Sequence, residues 1–212
     1  MKKLFAFLVA LLFVPAISNA QLYVTGGISA FGGDALTQAA TSGGGNQQQQ
    51  AQAAAEVSAG FNFGVKYKYK LPIPLFGVNA VGHFNYATGK SQVNNVPNLP
   101  SGVKFPETNL TALMYGIGVE VIPIGFLPII DPYVSLDYTL NSVTQKRDAV
   151  TIQNITIPGG ESSVSGSGLG IGIGTGIKLP VLPIIFDIEV KYRMLGNSQN
   201  VVLANLGAGL RF

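Results

Sequence analysis

The stretch from Val57 to Lys70, V-S-A-G-F-N-F-G-V-K-Y-K-Y-K, alternates without a break. Val57, Ala59, Phe61, Phe63, Val65, Tyr67 and Tyr69 fall on one face. Ser58, Gly60, Asn62, Gly64, Lys66, Lys68 and Lys70 fall on the other. A period of two is the signature of a β-strand, because successive side chains point to opposite sides of the pleat. Such a run far exceeds the usual strand of about 5–6 residues in soluble proteins and suits a strand that crosses a membrane.

Seven more segments read the same way, at roughly 21–33, 76–89, 109–122, 130–143, 163–179, 184–196 and 200–212. In 109–122 the apolar face is Leu113, Tyr115, Ile117, Val119 and Val121, and in 130–143 it is Val134, Leu136, Tyr138 and Leu140. In 184–196, Phe186, Ile188, Val190, Tyr192 and Met194 oppose Asp187, Glu189, Lys191 and Arg193. In 200–212, Val202, Ala204, Leu206, Ala208, Leu210 and Phe212 share a face.

The connections are of two kinds. Leu71–Leu75, Ile122–Pro128 and Leu179–Pro183 are short, apolar and proline-bearing; proline lacks the N–H that a ladder needs, so these segments end strands. The others, 34–53, 90–108 and 144–162 with a shorter one near 196–200, are polar. Within the first, the Gly and Gln tracts of 39–55 read as a mobile surface loop. Short turns at one rim and longer loops at the other predict an up-and-down antiparallel β-barrel of about eight strands that spans a membrane. The proline turns recur as repeated hairpins, too unequal in spacing for a solenoid.

The start of the chain sets the compartment. Lys2 and Lys3 precede an apolar run from Leu4 to Val14, and Ser18-Asn19-Ala20 supplies small residues where a signal peptidase reads. This predicts a secretory signal over 1–20 and a barrel over 21–212. The apolar run is too short to cross a bilayer as a helix. The chain has no cysteine, hence no lipoprotein anchor, disulfide or thiol chemistry. Without Lys2 and Lys3, the 13 Lys and Arg become 11 against 10 Asp and Glu, so the basic pI is no argument for nucleic acid. No later segment is long and apolar enough for a membrane helix.

Alternation alone fits a soluble sandwich or lipocalin-like barrel as well. Charge placement argues for lipid outside. Inward strand positions hold Glu56, Lys66, Lys68, Lys70, Glu120, Asp137, Lys178, Asp187, Glu189, Lys191, Arg193 and Arg211. The remaining charges fall in polar loops, or, for Asp131, at a turn. Glycine collects on the polar face, with Gly166, Gly168, Gly170, Gly172, Gly174 and Gly176 on one strand, as a narrow lumen requires. Tyr67, Tyr69, Tyr115, Tyr138, Tyr192 and Phe212 sit on the apolar face, where interfacial girdles belong.

With its signal, its even strand count and its last strand, Leu206-Gly207-Ala208-Gly209-Leu210-Arg211-Phe212, the chain resembles the small OmpA/OmpX-type outer-membrane barrels. That resemblance implies residence in the bacterial outer membrane, with its lipid as a partner. It also implies that Leu206, Ala208, Leu210 and Phe212 form the signal read by the barrel-insertion machinery. No OmpA-like periplasmic domain is expected after Phe212. Fold does not carry activity with it.

No catalytic constellation or metal site is expected. His83 is the single histidine, on the inward face with Asn79 and Asn85, and a lumen hydrogen-bonding role is expected for it. The glycines of 166–178 are spaced by two and match neither the dinucleotide nor the phosphate-loop pattern. No cofactor is expected, and the sequence identifies no surface ligand.

The expected function is therefore a non-enzymatic outer-membrane barrel with a charged, largely filled lumen, structural or binding in role. The alternatives are a narrow channel or cavity for small or apolar solutes, and a soluble periplasmic β protein. The expected lumen charge network comprises Lys66, Lys68, Lys70, Glu120, Asp137, Lys178, Asp187, Glu189, Lys191, Arg193 and Arg211. Across the 179–183 turn, Gly176, Gly174, Gly172 and Gly170 are expected opposite Asp187, Glu189, Lys191 and Arg193. Across the 196–200 loop, Gly209 is expected opposite Asp187 and Gly207 opposite Glu189.

Overall fold

The computed structural model describes residues 20–33, 55–73, 77–93, 107–123, 129–152, 155–196 and 199–211. Residues 1–19, which hold nearly all of the expected signal, and 34–54, which hold nearly all of the Gly/Gln tract, lie outside these.

Eight long strands form the wall: β1 Ala20–Gly33, β2 Gly60–Leu71, β3 Gly77–Val93, β4 Thr108–Ile122, β5 Ile130–Arg147, β6 Gly160–Lys178, β7 Ile184–Gly196 and β8 Gln199–Arg211. A four-residue stretch, Ala55–Ser58, prolongs β2 along β3. Each strand pairs antiparallel with its neighbours in sequence, and β1 pairs with β8, so the sheet closes without an edge in the wall.

The registers fix the size of the tube. Stepping between Cα partners leads from Gln21 through Lys68, Val81, Gly118, Asp137, Gly170, Arg193 and Val201 to Phe31, ten residues farther along β1. Eight strands with that stagger tilt by about 40° and leave a radius of about 8 Å, a lumen that side chains fill.

The alternation sets which face looks outward. Ile117, Leu136, Tyr138, Ile173, Ile188 and Leu206 are exposed, while Lys66, Glu120, Asp137, Glu189 and Arg193 are buried. Towards the long-loop rim the outward positions turn polar on successive strands: Tyr86 gives way to Thr88, Leu113 to Thr111, Leu140 to Ser142, Leu169 to Ser167 and Val202 to Asn200. Below that border the apolar belt spans about ten residues per strand, which at this tilt is about 25 Å, the height of a barrel's lipid-facing band. A soluble barrel would not leave this belt to water. Aromatic rings crowd its upper part, where Phe63 and Tyr86 pack with centroids 5.1 Å apart. The side chain of Phe212, expected in a girdle, lies outside the described residues.

Two expectations need correction. The 144–162 connection is not an irregular loop. β5 continues to Arg147, β6 begins at Gly160, and between them Val150–Ile152 pairs with Ile155–Ile157. Ser, Thr and Val suit a ladder without showing the alternation of a half-buried strand. The β7–β8 register is also tighter than expected. Gly207 lies opposite Asp187, and Asn205 opposite Glu189. The ladder stands two residues from the expected register, and the hairpin closes through a one-residue bulge between Met194 and Gly196, with Gly196 at φ 74°. Parity survives, so the faces are unchanged.

The two rims give a topology prediction. A membrane-impermeant maleimide added to intact cells is expected to label Ser163→Cys, on the projecting part of β6, and to leave Val181→Cys, in the β6–β7 turn, unlabelled. The reverse pattern would invert the barrel.

Candidate functional site

The inward side chains stack in layers because the stagger brings residues from different strands to one height. Nearest the short turns, Lys68 Nζ lies 2.8 Å from Glu120 Oε2 and 2.8 Å from Asp187 Oδ1. Its ammonium also sits 4.8 Å from the ring centre of Tyr23 and 4.4 Å from that of Tyr133. The Tyr133 hydroxyl donates to Asp187 at 3.1 Å.

One step farther in, Lys66 Nζ meets Glu189 at 2.7 Å, Asp187 at 2.9 Å and Glu120 at 3.5 Å. Ser135 donates to Glu189 Oε1 at 3.1 Å. Above this, Lys191 Nζ lies 3.0 Å from Glu189 and 2.7 Å from Asp137, whose other oxygen is 3.3 Å from Arg193 Nε. Thr139 donates to Asp137 at 2.7 Å and lies 3.2 Å from His83 Nε2. His83 thus sits in a hydrogen-bonded lumen layer.

The eight ionic residues, Lys66, Lys68, Lys191 and Arg193 against Glu120, Asp137, Asp187 and Glu189, balance in charge, and each is at most 4% exposed. Balance matters here, since an unpaired charge in a dry interior costs several kcal/mol, on the order of 3–5.

The glycines of β6 give these side chains their space. Gly176, Gly174, Gly172 and Gly170 lie opposite Asp187, Glu189, Lys191 and Arg193. A Cβ on Gly170 would stand 2.5 Å from Asp137 Oδ1 and 2.9 Å from Arg193 Cγ, and one on Gly172 would stand 2.6 Å from Ser135 Oγ.

Towards the long loops the lumen changes character. Phe31, Ala87, Leu110, Ala112, Met114, Val143, Leu195, Val201 and Leu203 form a buried apolar cluster. Neither this layer nor the roles of Tyr23 and Tyr133 were expected from the sequence. A signal was present: Leu195 continues the inward parity of the row from Asp187 to Arg193, and Val201 and Leu203 share the inward parity of Asn205.

Three expected network members stand elsewhere. Lys70 and Arg211 are exposed at the short-turn mouth, and Lys178 is half-buried there, 2.6 Å from Asp131. Their parity is inward, but they lie at strand ends, beyond the last complete ring of the wall. The mouth opens into a cavity of about 230 Å³ lined by Gln21, Tyr23, Lys68, Lys70, Lys178 and Arg211 among others, with Glu120 at its floor. Leu206 and Leu210 face outward, as does Ala208; the Phe212 side chain lies outside the described residues. No group of three or more potential metal ligands occurs among the described residues.

Closed antiparallel pairing, an apolar outer belt and a polar lumen define a small transmembrane β-barrel of the outer-membrane type. The chain has the OmpA/OmpX-type fold: Neisserial surface protein A superposes with TM-score 0.53 at 12% identity, over 92% of this chain and 98% of that one. Ail, the attachment invasion locus protein of Yersinia pestis, aligns at 17% identity over 91% and 97%, with TM-score 0.48. A major outer membrane protein of Thermus thermophilus aligns at 15% identity over 91% and 99%, also at 0.48. No family model and no curated protein matches the sequence.

Proposed function

We propose that this is a non-enzymatic barrel of the bacterial outer membrane whose lumen is sealed, leaving its loops and rims to act as structural or binding surfaces. In this reading, residues 1–20 are removed on export, and Leu206, Ala208, Leu210 and Phe212 present the terminal pattern to the insertion machinery. The supporting observation is the filled lumen. A neutral ionic network occupies the half nearest the short turns, and an apolar cluster occupies the other. A hydrated ion crossing the barrel would have to open the first and then wet the second.

The purified protein in planar bilayers at ~1 M KCl, where surface charge is screened within about 3 Å, is expected to give a flat current trace. Reproducible conductance steps would overturn the sealed lumen and favour a narrow conduit.

A further inference from the structure

The short-turn mouth carries cations that the lumen does not account for. Lys178 is neutralised by Asp131. Lys70 and Arg211 have no ion-pair or side-chain hydrogen-bond partner among the described residues, and the eight charges deeper in already balance one another. Both cations flank β1. Gln21 pairs with Lys68 on one side, two residues below Lys70, and directly with Arg211 on the other. The Tyr23 hydroxyl donates to Gln21 Oε1 at 2.5 Å, which leaves the Gln21 amide NH₂ as a further donor beside them. Lys70, Arg211 and Lys178, on β2, β8 and β6, thus form a crescent around one half of the cavity rim.

The turns at this rim are unusual in chemistry. Ile73, Ile129, Val181 and Leu182 are exposed apolar residues just beyond the strand ends. Such residues prefer the membrane to the water, and they continue the apolar belt past the last ladder pairs. In a bilayer they would seat the rim at the level of the lipid headgroups, within reach of their phosphates.

We propose that this mouth is a binding site for a phosphate-class oxyanion, held by Arg211 and Lys70 with the Gln21 amide between them. The guanidinium fork and the ammonium suit phosphate oxygens, which accept charge-assisted hydrogen bonds. At the floor Lys68 is already paired with Glu120 and Asp187, so the anion is held at the rim. Two sources share this chemistry: the headgroup phosphodiester of a phospholipid in the surrounding leaflet, and free phosphate. The site stands whether or not the lumen conducts.

The test is isothermal titration of the full barrel in maltoside detergent, with dihexanoyl phosphatidylglycerol and, separately, with inorganic phosphate. Saturable binding at one per barrel is expected, weakened about tenfold or more by Lys70→Gln with Arg211→Gln and unchanged by Lys146→Gln at the far rim. The altered side chains are exposed, and retention of the heat-modifiable gel shift checks that the double variant is folded. Binding of the lipid alone assigns the site to headgroups, whereas equal binding of inorganic phosphate assigns it to a soluble anion. Absence of binding by both probes, or binding indifferent to the double substitution, overturns the proposal.

Discussion

Lys66→Met is expected to lower the urea midpoint of the detergent-folded barrel by an amount equivalent to about 3–5 kcal/mol. Methionine keeps most of the stem and removes the ammonium, so packing is little altered. Lys66 alone contacts Glu120, Asp187 and Glu189, at 3.5, 2.9 and 2.7 Å. Without it, Glu189 keeps Lys191 at 3.0 Å, and Glu120 and Asp187 must share Lys68. Three carboxylates then face two ammonium groups at positions that are each at most 4% exposed. Adding Glu189→Gln removes one excess negative charge while preserving shape, so the double variant should recover part of the loss. If the single variant unfolds at the wild-type midpoint, the network is hydrated and the sealed lumen is wrong.

Gly174→Leu should be as damaging for a steric reason. A Cβ at Gly174 would lie 2.5 Å from Tyr133 Cζ and 2.6 Å from the backbone oxygen of Ile188. The Ile188 carbonyl belongs to the ladder and cannot retreat. The Tyr133 ring is held by Lys68 at 4.4 Å and by its hydrogen bond to Asp187. Overpacking usually costs about 1–3 kcal/mol, and loss of the buried hydroxyl's partner adds about 1–3 more. Ala208→Leu places the same side chain on the exposed outer face, with one carbon fewer added, and should shift the midpoint within about 0.5 kcal/mol. Equal midpoints for the two variants would mean that β6 faces water-filled space.

Much of this architecture was legible in the chain. Val57–Lys70 and 184–196 each state their faces residue by residue, because parity within a strand is a local property that neighbours cannot reverse without turning every side chain. The three proline turns marked one rim. The 163–179 and 184–196 segments also gave their mutual register correctly, since a short turn leaves little freedom. The 196–200 connection did not, because the hairpin closes tightly through a bulge at Gly196 and the ladder stands two residues from the expected register, with every face preserved.

The candidate site was legible only in part. Lys66 and Glu189 could be placed indoors, but sequence could not pair them, as they are 123 residues apart. Lys70 and Lys66 share a strand face, yet one is exposed at the mouth and the other is buried in the network.

By itself, then, the sequence determined strand number and the two faces, which follow from period-two alternation within single segments, and the placement of its charges turned the apolar face to lipid. The tertiary structure alone decided which charges meet, where the apolar cluster seals the tube and which cations remain at the mouth. The physical reason is that the height of a side chain in a barrel depends on the registers of all eight strands together. Their ten-residue stagger becomes defined only when β8 closes on β1.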